Sequence, residues 1–236
     1  MKYKLELNVN YFDKYGYKMF AYPILLSQLS FDHLKDTDQS FGILLQDRYA
    51  WVIISMKLKF LKRIDLPTTF NGNTWYSGRR GPYFRREYEI KSSDNLIVGA
   101  SYSILFDFET NSIYRKKELP FISLDVKNKH LIDLKSGIRD EFELIEIAKD
   151  KVKNSHIDNL GHTNHLRYVE FIYDALTDEL INEAYTYNTM ELFFQKEMLL
   201  NHKYSVNYEK KDDKLIFQII NLTTNEISFT LILSNE

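Results

Sequence analysis

Residues 164–184 read NHLRYVEFIYDALTDELINEA. Within them Leu166, Val169, Tyr173, Leu176 and Leu180 recur at steps of 3, 4, 3 and 4 residues. At 3.6 residues per turn that spacing draws one apolar stripe, which predicts a long amphipathic helix over 164–184. Beyond it the period changes to two. Four strand-like runs follow at 189–195, 204–209, 214–221 and 226–233. In the last, Ile227, Phe229, Leu231 and Leu233 alternate with polar or smaller residues, apart from Ile232. Before the helix, 142–152 reads as a further strand. Strand, helix and four strands make an α+β unit in which a curved antiparallel sheet wraps the helix and covers its stripe.

The first half carries the same order. A strand is expected over 3–11, where Leu5, Leu7 and Val9 alternate with Lys4, Glu6 and Asn8. A helix is expected over 22–35, with Pro23 in its first turn, where a missing N–H costs little. Tyr22, Leu25, Leu26 and Leu29 share one face of it. Strands are expected over 51–62, 70–77, 83–91 and 96–108. The turn clusters between them are Asp65-Leu66-Pro67, Ser77-Gly78 with Gly81-Pro82, and Ser92-Ser93-Asp94-Asn95. A charged, irregular connector, 109–140, joins the halves. The two halves share no detectable sequence identity, so the repeat rests on the order of elements.

Bulk properties remove other classes. At 236 residues the chain suits one or two domains, with a core large enough to need no covalent staples. It has no Cys, which excludes disulfides, thiolate zinc sites and a thiol nucleophile. A net charge of −2 offers no global field for nucleic acid. No apolar run approaches the roughly 20 residues that cross a bilayer, and the Met1-Lys2-Tyr3-Lys4 start is unlike a signal peptide, so a cytoplasmic address is expected. Gly99-Ala100-Ser101-Tyr102-Ser103 lacks the second glycine of a nucleophile elbow, and no phosphate-binding loop or dinucleotide fingerprint occurs.

Chemistry concentrates just ahead of the 164–184 helix, in Asp158-Asn159-Leu160-Gly161-His162-Thr163-Asn164-His165. Asp158 and His162 are able to move protons. Gly161 lets a ligand approach the backbone, and the N–H groups of a helix start attract an anion or a developing oxyanion. Acyl transfer needs both a base and such donors. The competing reading is a capped helix entrance with a satisfied histidine. A metal site of His156, His162, His165 and Asp158 matches no common zinc spacing.

These residues resemble the acyl-acyl-carrier-protein (acyl-ACP) thioesterase family of the hot-dog superfamily. That family carries an Asp, a Gly or Gln, then His-Val-Asn-Asn and a Lys-Tyr pair before its second long helix. This chain has Asp158, Gly161-His162-Thr163-Asn164-His165 and Arg167-Tyr168. About thirty residues on, the family has a Glu after basic residues on a strand, and Phe194-Gln195-Lys196-Glu197 stands there. Trp51, Pro67, Thr74-Trp75, Arg85-Arg86-Glu87-Tyr88 and Pro120 extend the match through the first half.

The resemblance implies a tandem hot-dog of two domains: 1–125, binding the acyl chain, and 126–236, carrying the catalytic residues. It implies hydrolysis of fatty acyl-ACP to free fatty acid and carrier thiol, without metal or cofactor, by a monomer or homodimer. Asp158 and Glu197 would activate water or supply a carboxylate nucleophile, and His162 would polarise the thioester. Asn159, Gly161 and Asn164 would complete the substrate side, Asn164 chiefly by fixing the turn. The partner would be an acyl carrier protein bearing a phosphopantetheine-linked acyl chain. Basic clusters at Lys57-Leu58-Lys59, Lys62-Arg63, Arg79-Arg80, Arg85-Arg86 and Arg115-Lys116-Lys117 would dock that acidic carrier or stand as solvated charges on strand faces. Part of the Tyr22, Leu25, Leu26, Leu29 stripe would face the acyl chain.

One departure bears on turnover. The family's Asn two residues before the His is Leu160 here, with Asn159 one place earlier. Losing an oxyanion donor typically costs about 2.7–4 kcal/mol. An acyl-CoA thioesterase and a non-catalytic acyl-binding hot-dog protein are the alternatives.

Overall fold

Alternating apolar residues of high β-propensity become strands, and most of the strands join into one antiparallel sheet. The structure is a computed structural model that describes residues 2–36, 48–65, 69–92, 95–120 and 126–236. The first half contains β1 (Lys2–Glu6), a small hairpin of β2 (Phe12–Asp13) and β3 (Gly16–Tyr17), and helix α1 (Ala21–Asp36). Then come β4 (Tyr49–Phe60), β5 (Thr69–Arg80), β6 (Tyr83–Lys91), β7 (Asn95–Asp107) and β8 (Ser112–Ile113). The second half contains β9 (Ile145–Lys151), α2 (Arg167–Ala175), α3 (Asp178–Ala184), β10 (Thr189–Phe194), β11 (Lys203–Lys211), β12 (Lys214–Asn221) and β13 (Glu226–Ser234).

The sheet runs β1-β5-β6-β7-β4-β10-β13-β12-β11-β9, with β8 added beside β7. Outward from the β4–β10 seam, both halves follow one plan: β4-β7-β6-β5-β1 on one side and β10-β13-β12-β11-β9 on the other. This is the doubled α+β plan expected from the order of elements, and it agrees with the tandem hot-dog that the resemblance implies. The seam pairs Thr189 with Lys59 and Phe193 with Ser55. Tight reversals sit where the residue tolerates a left-handed backbone: Gly81 (φ 60°), Asp212 (φ 52°) and Asn225 (φ 58°).

The main apolar core takes Leu25, Leu26 and Leu29 from α1, Val169 and Ile172 from α2, and Leu58, Leu192, Phe217 and Leu231 from the sheet. Helix α1 comes down onto glycines. A Cβ on Gly99 would stand 3.0 Å from the Lys57 carbonyl oxygen and 3.2 Å from Leu26 Cδ2. The connector crosses the other face. Trp75 Nε1 donates to the Lys129 carbonyl (2.9 Å), and Ser55 Oγ donates to that of Lys135 (2.6 Å). Ile138, Phe142 and Leu144 cover Phe193, Ile216 and Ile232, which explains why Ile232 breaks the alternation of β13.

Several expectations change. The first strand ends at Glu6; residues 9–11 form a 3-10 turn and Val9 is 66% exposed. Ser77-Gly78 is no reversal: it lies inside β5 as a bulge opposite Arg85, with Gly78 at φ 138°, and the chain turns at Gly81-Pro82. The helix over 164–184 is two helices. Leu176 is extended (ψ 141°), and Thr177 Oγ1 accepts the Leu180 N–H to start α3. The break rephases the stripe. The face that α2 buries is Tyr168, Val169, Phe171 and Ile172, because Tyr168 stacks on Phe229 (5.4 Å) and Phe171 on Tyr204 (4.7 Å). Pro67 and the expected turns at 66–67 and 93–94 lie outside the described residues, as does position 125 at the expected domain boundary. Among the described residues, no helix is long and apolar enough to cross a membrane.

Candidate active site

The segment before α2 is a hairpin-like turn built on one carboxylate. The Asp158 N–H donates to the His162 carbonyl (2.8 Å) and the Gly161 N–H to that of Asp158 (3.1 Å). Asp158 Oδ1 accepts the N–H of Leu160 (2.9 Å) and of His162 (3.2 Å). This is the local bonding that suits Asp to turns. Gly161 closes the turn at φ 83°, and a Cβ there would meet open space.

The turn is stapled to the loop that follows β10. Both the N–H and the Oγ1 of Thr163 donate to the Met198 carbonyl, each at 2.8 Å, and His162 forms a β-bridge with Leu199. Two residues distant in sequence therefore meet: His162 Nε2 lies 3.5 Å from Glu197 Oε2. The side chains are 37% and 64% exposed, so the pair faces solvent at the turn. Glu197 was expected on a strand; it sits in the loop, because β10 ends at Phe194. Tyr168 sits behind the group. Burial pushes its phenol pKa up, and the charges of Glu197 and Asp158 add to the shift.

The remaining expected residues divide. Asn164 fixes the entrance to α2: its Oδ1 accepts the Leu166 N–H (3.0 Å) and its carbonyl that of Arg167 (2.9 Å). Asn159 is exposed, and Leu160 is half-buried. The N–H groups expected to await an oxyanion at the helix start are largely engaged within the turn, since those of Leu160 through Asn164 all have acceptors. Among the described residues the His165 N–H has none. His156 points elsewhere, taking the Lys153 N–H on Nδ1 (3.0 Å) and packing on Phe171.

His165 connects the turn to the first half. Its Nε2 is 3.2 Å from Ser27 Oγ of α1, and its ring meets Phe194 edge-on. Burial pulls its pKa down to about 4, against a smaller opposing pull from Asp158, so the ring is neutral near pH 7. His165 also lines a cavity of about 140 Å³ between α1 and the sheet. Ser27, Ser30, Phe31 and Leu34 of α1 form one wall. Trp51, Ile53, Tyr76, Phe84, Arg86 and Tyr88 contribute to the other. The Tyr22, Leu25, Leu26, Leu29 stripe does not line it, because that face is spent on the core.

The basic clusters are not uniformly available for docking. Lys57 is buried against Glu236 (2.7 Å), Arg63 caps the Ala184 and Tyr187 carbonyls, and Arg85 pairs with Glu87 (2.6 Å). Arg80, Lys62 and Arg115-Lys116-Lys117 stay exposed. Sequence reasoning missed His165, Ser27 and Arg86 as cavity residues. His165 stood in the right segment, but only the fold shows which way it points.

Residues 141–234 match the family model of the acyl-ACP thioesterase C-terminal domain. Among solved structures, an acyl-ACP thioesterase from Bacteroides thetaiotaomicron superposes with a TM-score of 0.85 at 17% identity, covering 100% of this chain and 97% of that one. A 12:0-ACP thioesterase from Umbellularia californica superposes with a TM-score of 0.75 at 12% identity, covering 99% and 96%. At these identities the likeness establishes a shared fold. No curated protein matches the chain by sequence.

Proposed function

We propose that this chain, whose residues 141–234 match the acyl-ACP thioesterase C-terminal domain, hydrolyses fatty acyl-ACP to free fatty acid and carrier thiol at the Asp158 turn. The observation that supports this reading is the staple between that turn and the Glu197 loop, which brings His162 within 3.5 Å of Glu197, while His165 of the same segment lines the cavity. In this reading Glu197 takes a proton from water as the water oxygen attacks the thioester carbonyl carbon. His162 donates from Nε2 to the carbonyl oxygen, and the unengaged His165 N–H supplies a second donor in place of the amide that Leu160 lacks. Asp158 holds the turn through Oδ1 and leaves its other oxygen to orient the water. The C–S bond then breaks, and the thiolate recovers the proton from Glu197.

The finer assignments belong to the same proposal. Residues 1–125 hold the acyl chain and 126–236 the chemistry. The exposed basic residues meet the acidic carrier in the cytoplasm, and the protein acts as a monomer or homodimer.

The direct test is thiol release from acyl-ACP and acyl-CoA of matched chain length. Faster release from the carrier protein, with an advantage that shrinks as salt screens the docking charges, is the expected result. No release from any medium or long acyl thioester would overturn the reading. Leu160 favours one alternative, an acyl-binding protein without turnover. Tight acyl binding with no hydrolysis, and hydrolysis gained by Leu160→Asn, would identify that case.

A further inference from the structure

The inward-facing row of β6 reads Phe84, Arg86, Tyr88 and Ile90. Phe84, Tyr88 and Ile90 are buried, as such a row requires. Arg86 is a cation in the same row, and it lines the cavity that His165 reaches from the catalytic turn. Its Nη1 is 3.1 Å from His33 Nδ1 and 3.5 Å from Thr74 Oγ1. Among the described residues no carboxylate pairs with it.

Other arginines in the chain show the contrast. Arg85 has Glu87 at 2.6 Å, and Arg48 has Asp107 at 2.6 Å. Burial holds the Arg86 pKa below its ordinary value, and the neighbouring groups that act on it are the phenols of Tyr88, Tyr3 and Tyr76. An interior guanidinium without a counter-charge lowers stability, and its open donors match a planar oxyanion in a fork geometry. The wall between α1 and β6 is polar as well: Ser30 Oγ meets Tyr88 OH at 2.8 Å, and Tyr88 OH meets Ser101 Oγ at 2.9 Å.

We propose that this cavity selects acyl groups that carry oxygen at their distal end, a carboxylate foremost, and that Arg86 is the residue that holds it. The proposal rests on the thioesterase reading for the identity of the ligand's other end. The cavity, about 140 Å³, is close to the roughly 150 Å³ void that accepts a benzene molecule, so it holds about six heavy atoms. An eight-carbon dicarboxylyl chain carries six methylenes between its carboxyl carbons, about that number of atoms.

Two arms test this. Binding is measured with methyl octanoate, methyl 8-hydroxyoctanoate and monomethyl octanedioate, whose ester ends are uncharged like a thioester. Wild type is expected to bind the octanedioate ester at least about tenfold more tightly than methyl octanoate, with the hydroxy ester between them. Arg86→Met should abolish that preference and leave the melting temperature unchanged or raised; Arg86→Lys should keep part of the preference. Equal binding of the esters by wild type would overturn the proposal. So would an unchanged preference in Arg86→Met, or, should that variant not fold, an undiminished preference in Arg86→Lys.

The second arm compares turnover of octanoyl and octanedioyl carrier thioesters. Preference in binding with no turnover removes the hydrolase reading and leaves the cavity assignment standing. Turnover with no preference in either arm does the reverse.

Discussion

Asp158 has a structural role and a proposed chemical one on one side chain, and they are separable. Oδ1 holds the turn through two backbone donors, and in the proposed reaction the charge serves the chemistry. Asp158→Asn keeps an acceptor oxygen, so its stability should stay within about 1 kcal/mol of wild type while kcat falls about 10²-fold or more. Asp158→Ala removes both and should cost about 1–2 kcal/mol in addition, read by denaturant unfolding. Glu197→Ala should lower kcat far more than it raises KM. Asp178→Ala, an exposed carboxylate paired with Lys14 away from the turn, should change neither; an equal kcat loss there would remove the assignment of Asp158 and Glu197. His165 adds a pH dependence. Its folded pKa of about 4 lies below the ordinary value of 6.5, so the unfolded chain binds the proton more readily between them. Stability should therefore fall as pH drops from about 6.5 towards 4 and level off below, by up to about 3 kcal/mol for this group. His165→Gln should flatten that part of the profile; an unchanged slope in unfolding measurements would contradict it.

Elements meet where side chains are missing or chosen to fit. Gly99 in β7 lets α1 close on the sheet, and a methyl group there meets the Lys57 carbonyl oxygen as well as Leu26. Backbone cannot give way as a side-chain tip can. Gly99→Ala should therefore destabilise by about 1–3 kcal/mol, seen as a lower denaturation midpoint with little change in slope. The division between α2 and α3 has a local cause in the extended pair Leu176-Thr177 and a tertiary one in the aromatic contacts of Tyr168 and Phe171. The 3-4-3-4 stripe was legible, yet it described a straight helix that the packing does not use. Glu197 reaches His162 because β10 stops at Phe194 and the next loop bonds to Thr163. That pairing spans 35 residues and leaves no periodic trace.

The whole molecule depends on the β4–β10 seam and on the connector laid across the outer face. Glu87, fully buried, accepts from Arg85, Ser77 and the Leu131 N–H, and so ties that connector to the sheet. Glu87→Ala leaves Arg85 buried and unpaired. It should cost about 3–5 kcal/mol and open residues 126–140 to proteolysis before the rest of the chain. Residues 141–234 alone would present β10 as an open edge. That fragment should self-associate, whereas the full chain should unfold in one cooperative transition by scattering and calorimetry.

The order of strands and helices, the doubling of one plan and the candidate site between Asp158 and Asn164 follow from the sequence by itself. Period, turn residues and a run of proton-carrying side chains are local properties, written in neighbouring residues. Tertiary structure alone decided which arginines are surface charge and which are not. It alone turned His165 inward to Ser27 and set Glu197 against His162. Those outcomes depend on contacts between distant segments and on burial. The same Arg-Arg dipeptide thus yields one guanidinium neutralised by Glu87 and another facing a cavity, with only strand alternation between them.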